Sequence, residues 1–302
     1  MCTLYCLGLY KGGTRYVRVI YERVITTALS QVHRAVLAAL CMHLLDVRAG
    51  FDFERDVWQK LPRRQQVKLN RHRRRSFPRV LPLHPADTAF WLDATAGYSL
   101  TSSKIAKVYA RIVRGCAVRC GLDMSTCTIT DATASVGGNV FAFASHFAKV
   151  NAIELLEPTA QMLLHNLKLL KLSHKVDVWC GDSSQADVVS KHIVQDVLFL
   201  DPPWGGVNYR RAPRLSLFLA EKNLRQICIE WARCTRLIVL KLPLKFHYSE
   251  FFHLAAQLPF VLMYRAEIGM DSKGKARALR HGDRSSPKLH RTVMSIVVLR
   301  VT

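Results

Sequence analysis

Four acidic residues, Asp131, Glu154, Asp182 and Asp201, each close a short apolar run of strand character. The last of them opens Asp201-Pro202-Pro203-Trp204, followed by Gly205, Gly206 and, a few positions on, Tyr209. That order suits chemistry on the exocyclic amine of a nucleic-acid base. Two successive prolines fix φ near −65° and carry no N–H, so the chain is stiff and its carbonyls are free to face a ligand. A base stacked on the Trp204 indole could donate from its amino group to the Asp201 carboxylate and the Pro202 carbonyl. The competing structure is a proline-stiffened turn whose tryptophan packs in the core. The sequence disfavours it, because an indole directly after a strand-ending Asp-Pro-Pro has no core to enter unless the chain turns back.

A second segment, Asp131-Ala132-Thr133-Ala134-Ser135-Val136-Gly137-Gly138-Asn139, leaves a strand and opens a helix. Its small residues would let the backbone approach a ligand at the end of the sheet where open α/β folds bind cofactors. It is not G-x-G-x-x-G and no Lys-Ser/Thr follows, which disfavours a dinucleotide or a nucleoside triphosphate. A strand-end carboxylate suits a cation instead, and S-adenosylmethionine carries both an ammonium and a sulfonium. Glu154, with Glu157 as its competitor, is placed to accept from the ribose hydroxyls, and Asp182 from the adenine amine. One such acid alone would be a helix cap or a surface charge, but four closing successive strands point to a site.

The elements that must position these residues alternate. Strands are expected at 126–131, 150–154, 176–180, 197–200, 237–240, 260–267 and 292–301, with helices at 104–114 (capped by Ser102 and Ser103), 141–147 and 158–172. Repeated strand–helix–strand order implies a parallel sheet covered on both faces. The last two strands are separated only by a basic loop, 269–291, and should pair antiparallel.

These stretches resemble the S-adenosylmethionine-dependent methyltransferases of the seven-stranded class, and within it the trimethylguanosine synthases, RNA cap guanine-N2 methyltransferases. The similar segments are Gly97-Tyr98-Ser99-Leu100-Thr101, Lys104-Ile105-Ala106, Asp131 to Asn139, Ala152-Ile153-Glu154 with Glu157-Pro158, Cys180-Gly181-Asp182, and Pro202-Pro203-Trp204-Gly205-Gly206 with Tyr209. They fall between about residues 90 and 260. The resemblance implies a Rossmann-like α/β fold with its last strand antiparallel. It also implies S-adenosylmethionine as cofactor, held by Asp131, Ala132, Ser135, Gly137, Asn139, Glu154 and Asp182. The implied reaction converts 7-methylguanosine caps of small nuclear and nucleolar RNAs to the 2,2,7-trimethyl form. Trp204 would stack on the cationic 7-methylguanine, Asp201 and Pro202 would receive the amine, and Tyr209 would help hold the cap phosphates. Tyr98 is a further substrate-side candidate. The chain departs from the family at Asp201, usually Ser, at Ser135, usually Gly, at Val207-Asn208, usually Pro-Asp, and at Leu244, usually a phosphate-binding arginine. Lys241 or Lys245 would then have to meet the phosphates. Asp201 also gives the motif the look of base N-methyltransferases acting on adenine N6 or ribosomal guanine N2, which is the alternative activity. A catalytically silent RNA-binding module is the third reading.

The chain has 302 residues, 50% of them hydrophobic, and a formal charge of +22 from 44 basic and 22 acidic side chains. Such an excess points to a polyanion, most simply nucleic acid. Charge is densest over Lys60, Arg63, Arg64, Lys68, Arg71, Arg73, Arg74, Arg75 and Arg79, a run suited to RNA phosphates or nuclear import. Pro78, Pro82 and Pro85 mark a boundary between a basic, helical extension, 1–85, and a methyltransferase domain, 86–302. In that extension Ile25, Leu29, Val32, Val36, Leu40 and Leu44 recur at helical spacing. The 9 cysteines form no C-x-x-C pair, which argues for a reducing compartment and against structural zinc. His146, His165 and His174 read as helix-surface residues, and no metal is expected. No run is long enough to span a membrane and no clean secretory signal stands at the N-terminus. The expected setting is a monomer in the nucleus, ahead of the mitochondrion, whose transit peptides share the arginine-rich, acid-poor start.

Overall fold

A computed structural model describes residues 90–302, except 94, 192, 206–208, 210, 254–256, 281–288 and 290, together with 59, 60, 62–64 and 66. The helical face expected at 25–44 and the boundary expected near residue 85 lie outside the described residues. So does the basic run, apart from the exposed Lys60, Arg63 and Arg64.

The elements are α1 (Ala96–Ser99), α2 (Ser103–Arg119), β1 (Thr128–Asp131), α3 (Val140–Phe143), β2 (Lys149–Glu154), α4 (Glu157–Leu169), β3 (Val176–Cys180), α5 (Ala186–Val189), β4 (Val197–Leu200), the short pair β5 (Phe218–Leu219) and β6 (Lys222–Asn223), α6 (Leu224–Trp231), β7 (Leu237–Leu242), α7 (Tyr248–Phe251), β8 (Phe260–Met270), β9 (Ala276–Arg280) and β10 (Arg291–Val301). One sheet of eight strands runs in the order β3-β2-β1-β4-β7-β10-β8-β9. β1 pairs parallel with β2 and β4, β2 with β3, and β4 with β7. β10 pairs antiparallel with both β7 and β8. The fold is therefore the expected Rossmann-like α/β sheet with the final strand reversed.

The large sheet has one strand more than expected, and β5 and β6 form a separate two-stranded pair. The loop foreseen over 269–291 contains β9, which folds back antiparallel on β8 with Ala266 opposite Arg280 and Met270 opposite Ala276. Asp271 makes that turn: its Oδ1 accepts from the amides of Lys273 and Lys275, at 3.0 and 2.9 Å. An aspartate closing its own turn is a local signal, masked in the sequence by the surrounding basic residues.

Central strands buried on both faces account for the unbroken apolar runs: every residue of β4 and of β7 is buried, as parallel strands between helical layers require. On one side α2 turns Ile105, Val108, Tyr109 and Val113 inward, and Tyr109 and Phe143 meet Phe199 of β4 edge to face. On the other, α6 buries Trp231, whose Nε1 donates to the Ser183 carbonyl at 3.0 Å. Local expectations differ at helix ends. α2 runs to Arg119, and Ser102 sits at its N-cap without a side-chain bond. α3 spans only Val140–Phe143. His165 of α4 is not a solvent-facing residue: it is half-buried and stacks on Trp91, with ring centroids 3.8 Å apart. Asn166 beside it fixes the same segment, accepting from the Trp91 amide at 2.8 Å and donating to its carbonyl at 2.9 Å.

Candidate active site

Strand order reverses between β1 and β4: β2 and β3 lie to one side, β7 to the other. Ligands of open α/β sheets sit at such a reversal, beyond the carboxyl ends of the strands. Asp131 ends β1, and Asp201 follows β4 immediately. Parallel register sets Asp131 opposite Phe199, so two residues further Thr133 and Asp201 come together. The Asp201 amide donates to Thr133 Oγ1 at 2.8 Å. Thr133 was not foreseen, although this register is what its spacing from Asp131 encodes.

Asp131 is fully buried. Its Oδ1 accepts from the Thr133 amide at 3.1 Å, while Oδ2 has no partner among the described residues. Burial pushes the carboxyl up to about 7. A buried acceptor without a donor is costly, and an ammonium is the group that would relieve it. Asn139, also buried, leaves its Oδ1 without a partner.

Glu154 ends β2 and closes the motif loop: its Oε2 accepts from the Ser135 amide and its Oε1 from the Leu156 amide, each at 2.9 Å. Burial raises its pKa. The carboxylate retains acceptor capacity for a hydroxyl. Glu157 sits instead in the first turn of α4, where a carboxylate complements the helix dipole. Asp182 accepts from the Ser184 amide at 2.9 Å and from Gln185 Nε2 at 3.3 Å, which orders the turn after β3. The motif loop departs from expectation at its glycines. A Cβ on Gly137, whose φ is +107°, would lie 2.3 Å from Phe141 Cζ and 2.8 Å from Leu163 Cδ1. One on Gly138 would lie 2.7 Å from Leu100 Cδ1. At both glycines the space a Cβ would take is filled by protein side chains, so the turn itself requires glycine there. Ser135 has φ +49°, the left-handed region in which a non-glycine residue is strained. Ala132 is buried and continues the strand through its amide, which donates to the Phe199 carbonyl at 2.9 Å.

Pro202 is buried and Pro203 exposed. Trp204 is half-buried: it packs against the hydrophobic cluster to which Leu200, Leu242 and Phe246 belong, and its Nε1 is a buried donor with no hydrogen bond among the described residues. The chain does turn back far enough to give the indole a core contact. Tyr209 meets it edge to face, with centroids 5.2 Å apart. Tyr98 lies in α1. Lys245 is exposed just beyond β7. Lys241, by contrast, is not available for phosphates. Its Nζ is buried in an ion pair with Asp201 Oδ2, donates to Thr101 Oγ1 at 2.8 Å, and lies 5.4 Å from the Trp204 ring centroid. Thr101 was not foreseen as a site residue. Burial raises the pKa of Asp201, and Lys241 works against that rise.

The donor set fits S-adenosylmethionine. Asp131 would hold the ammonium and Glu154 the ribose, and the bound group would supply an electrophilic methyl on sulfur. Among the described residues no group of three His, Cys, Asp or Glu side chains could hold a metal, and no helix is long and apolar enough to cross a membrane.

Residues 126–274 match the model of a family described as RNA cap guanine-N2 methyltransferase. An uncharacterised protein of Acanthamoeba polyphaga mimivirus is 34% identical over 131 residues, 43% of this chain and 51% of that protein. A trimethylguanosine synthase of Schizosaccharomyces pombe is 31% identical over 128 residues, 41% of this chain and 49% of that protein. The chain spans about half the length of the curated relatives it matches. Among solved structures, a candidate methyltransferase from Porphyromonas gingivalis is similar in fold, with a TM-score of 0.52 at 12% identity over 91% of this chain and 59% of that one.

Proposed function

We propose, from the match of residues 126–274 to the RNA cap guanine-N2 methyltransferase family, that the chain belongs to that family and transfers a methyl group from S-adenosylmethionine to the exocyclic N2 of a guanine cap on RNA. The observation that carries this reading is the pair of strand ends at the sheet reversal, Asp131 and Asp201, with Trp204 beside the second. The N2 amine is a weak nucleophile because its lone pair is delocalised into the ring. Positioning supplies most of what such a transfer needs. Trp204 would present a stacking face, and the Asp201 carboxylate and Pro202 carbonyl would accept the amine hydrogens as positive charge develops on nitrogen.

The finer reading is trimethylation of small nuclear and nucleolar RNA caps by a monomer in the nucleus, with the basic run at 60–79 held to the RNA body by charge. Imaging of a tagged chain tests the location. A base N-methyltransferase acting on uncapped RNA is the second reading, favoured by one observation: Lys241 is committed to Asp201 and not free to meet cap phosphates. A single assay separates them. The chain is given 7-methylguanosine cap dinucleotide, unmethylated cap dinucleotide and uncapped RNA with S-adenosylmethionine, and the products are read by mass. Two added methyls on the 7-methylguanosine cap are expected; preferential methylation of uncapped RNA would overturn the cap reading.

A further inference from the structure

In β7, Leu237-Ile238-Val239-Leu240-Lys241-Leu242, the single charged residue is as buried as its apolar neighbours. The Lys241 side chain is 5% exposed and that of its partner Asp201 15%. An ammonium so placed is tolerable only when paired and hydrogen-bonded. Register makes the pair: Leu200 stands opposite Leu240 in the parallel ladder, so the next residues of the two strands, Asp201 and Lys241, emerge side by side. Thr101, ahead of α2, takes a second hydrogen of Lys241 at 2.8 Å. Thr133 holds the Asp201 backbone from the other side. The carboxylate is thus fixed at its amide and at Oδ2, and no described residue bonds Oδ1.

We propose that Lys241 is a positioning residue for methyl transfer: anchored by Thr101, it pins one oxygen of Asp201 so that the other is left to accept from the exocyclic amine of the substrate base. This rests on the base-methylation reading above and adds a residue to it. Specificity follows from the same geometry. A pinned carboxylate presents only an acceptor, which suits the N–H donors of an exocyclic amine and disfavours a ring-nitrogen acceptor at the same place. Among the described residues the charged or titratable groups around Asp201 are Lys241 on β7, Asp131 on β1 and Tyr109 on α2, with Tyr248 of α7 beside Tyr109. Of these Lys241 is the one cation, so the carboxylate depends on it to remain charged.

The test uses the full chain, 7-methylguanosine-capped RNA and S-adenosylmethionine. Lys241→Met should lower kcat by roughly 100-fold while the calorimetric Kd for S-adenosylmethionine stays within about threefold, a misplacement effect confined to the substrate side. Its acid limb of kcat against pH should move to higher pH than in the unaltered chain, because the buried carboxyl has lost its cation. Asp201→Asn should abolish that limb. The double variant Lys241→Met/Asp201→Asn should be no slower than Asp201→Asn alone, since nothing charged remains to be held. If Lys241→Met does not fold, the double variant leaves no orphaned buried charge and keeps the comparison with Asp201→Asn available. An unmoved acid limb in Lys241→Met, or a double variant slower than Asp201→Asn, overturns the proposal. An unaltered chain that binds S-adenosylmethionine but methylates no guanine overturns the base-methylation reading, and the proposal with it.

Discussion

Replacing Asp131 by Asn should make the protein without cofactor more stable at neutral pH and unable to grip the methyl donor. Its carboxyl is fully buried, and its Oδ2 has no donor among the described residues. Burial lifts its pKa from the ordinary 3.8 to about 7. The folded protein therefore keeps a proton that the unfolded chain releases. Below about pH 4 both states are protonated and the group costs nothing. Between about pH 4 and 7 stability falls as pH rises, and above that the penalty is constant. A displacement of that size corresponds to about 4 kcal/mol at most, and for a domain of this length each kcal/mol moves Tm by roughly 2–4 °C. The assay is the melting temperature of both proteins from pH 4.5 to 8, with and without S-adenosylmethionine. The variant's advantage in Tm should grow across that range by about 10 °C without cofactor. Saturating S-adenosylmethionine should erase that advantage, because its ammonium offsets the charge only where the carboxylate remains. A difference in Tm that stays flat with pH refutes the assignment of the buried proton. A variant that binds S-adenosylmethionine as tightly as the unaltered chain refutes the role in donor binding.

Four further outcomes can be measured. Trp204→Ala should abolish methylation of capped RNA while calorimetry still shows cofactor binding; near-normal activity would remove the indole from the substrate site. Ser135→Gly relieves a left-handed residue and should stabilise the fold by about 1 kcal/mol in denaturant melts, where a loss of stability would contradict the strain. Gly137→Ala puts a methyl 2.3 Å from the Phe141 ring and should cost about 2 kcal/mol or more in the same measurement. Replacing Arg73, Arg74 and Arg75 by Gln should reduce the slope of log K against log salt for RNA binding by about 2 to 3, and an unchanged slope would leave that run as a targeting signal.

Much of the site could be seen in the chain because strands write themselves as short, mostly apolar runs, and the acid at or just past the end of each run stands out. Asp131, Glu154, Asp182 and Asp201 were marked in this way, and the alternation around them gave the sheet. What lay across strands was not legible. Lys241 reads as a spare cation near the phosphates until the ladder between β4 and β7 sets it beside Asp201. Thr133 and Thr101 are ordinary hydroxyls until register and packing bring them to that pair. Gly137 and Gly138 read as room for a ligand, and only packing shows that Phe141, Leu163 and Leu100 stand where their Cβ atoms would be. Sequence order by itself determined which groups leave the ends of strands, since burial pattern is a local property. Only the tertiary structure decided which of those groups touch, because contacts between strands depend on register and on the packing of segments far apart in the chain.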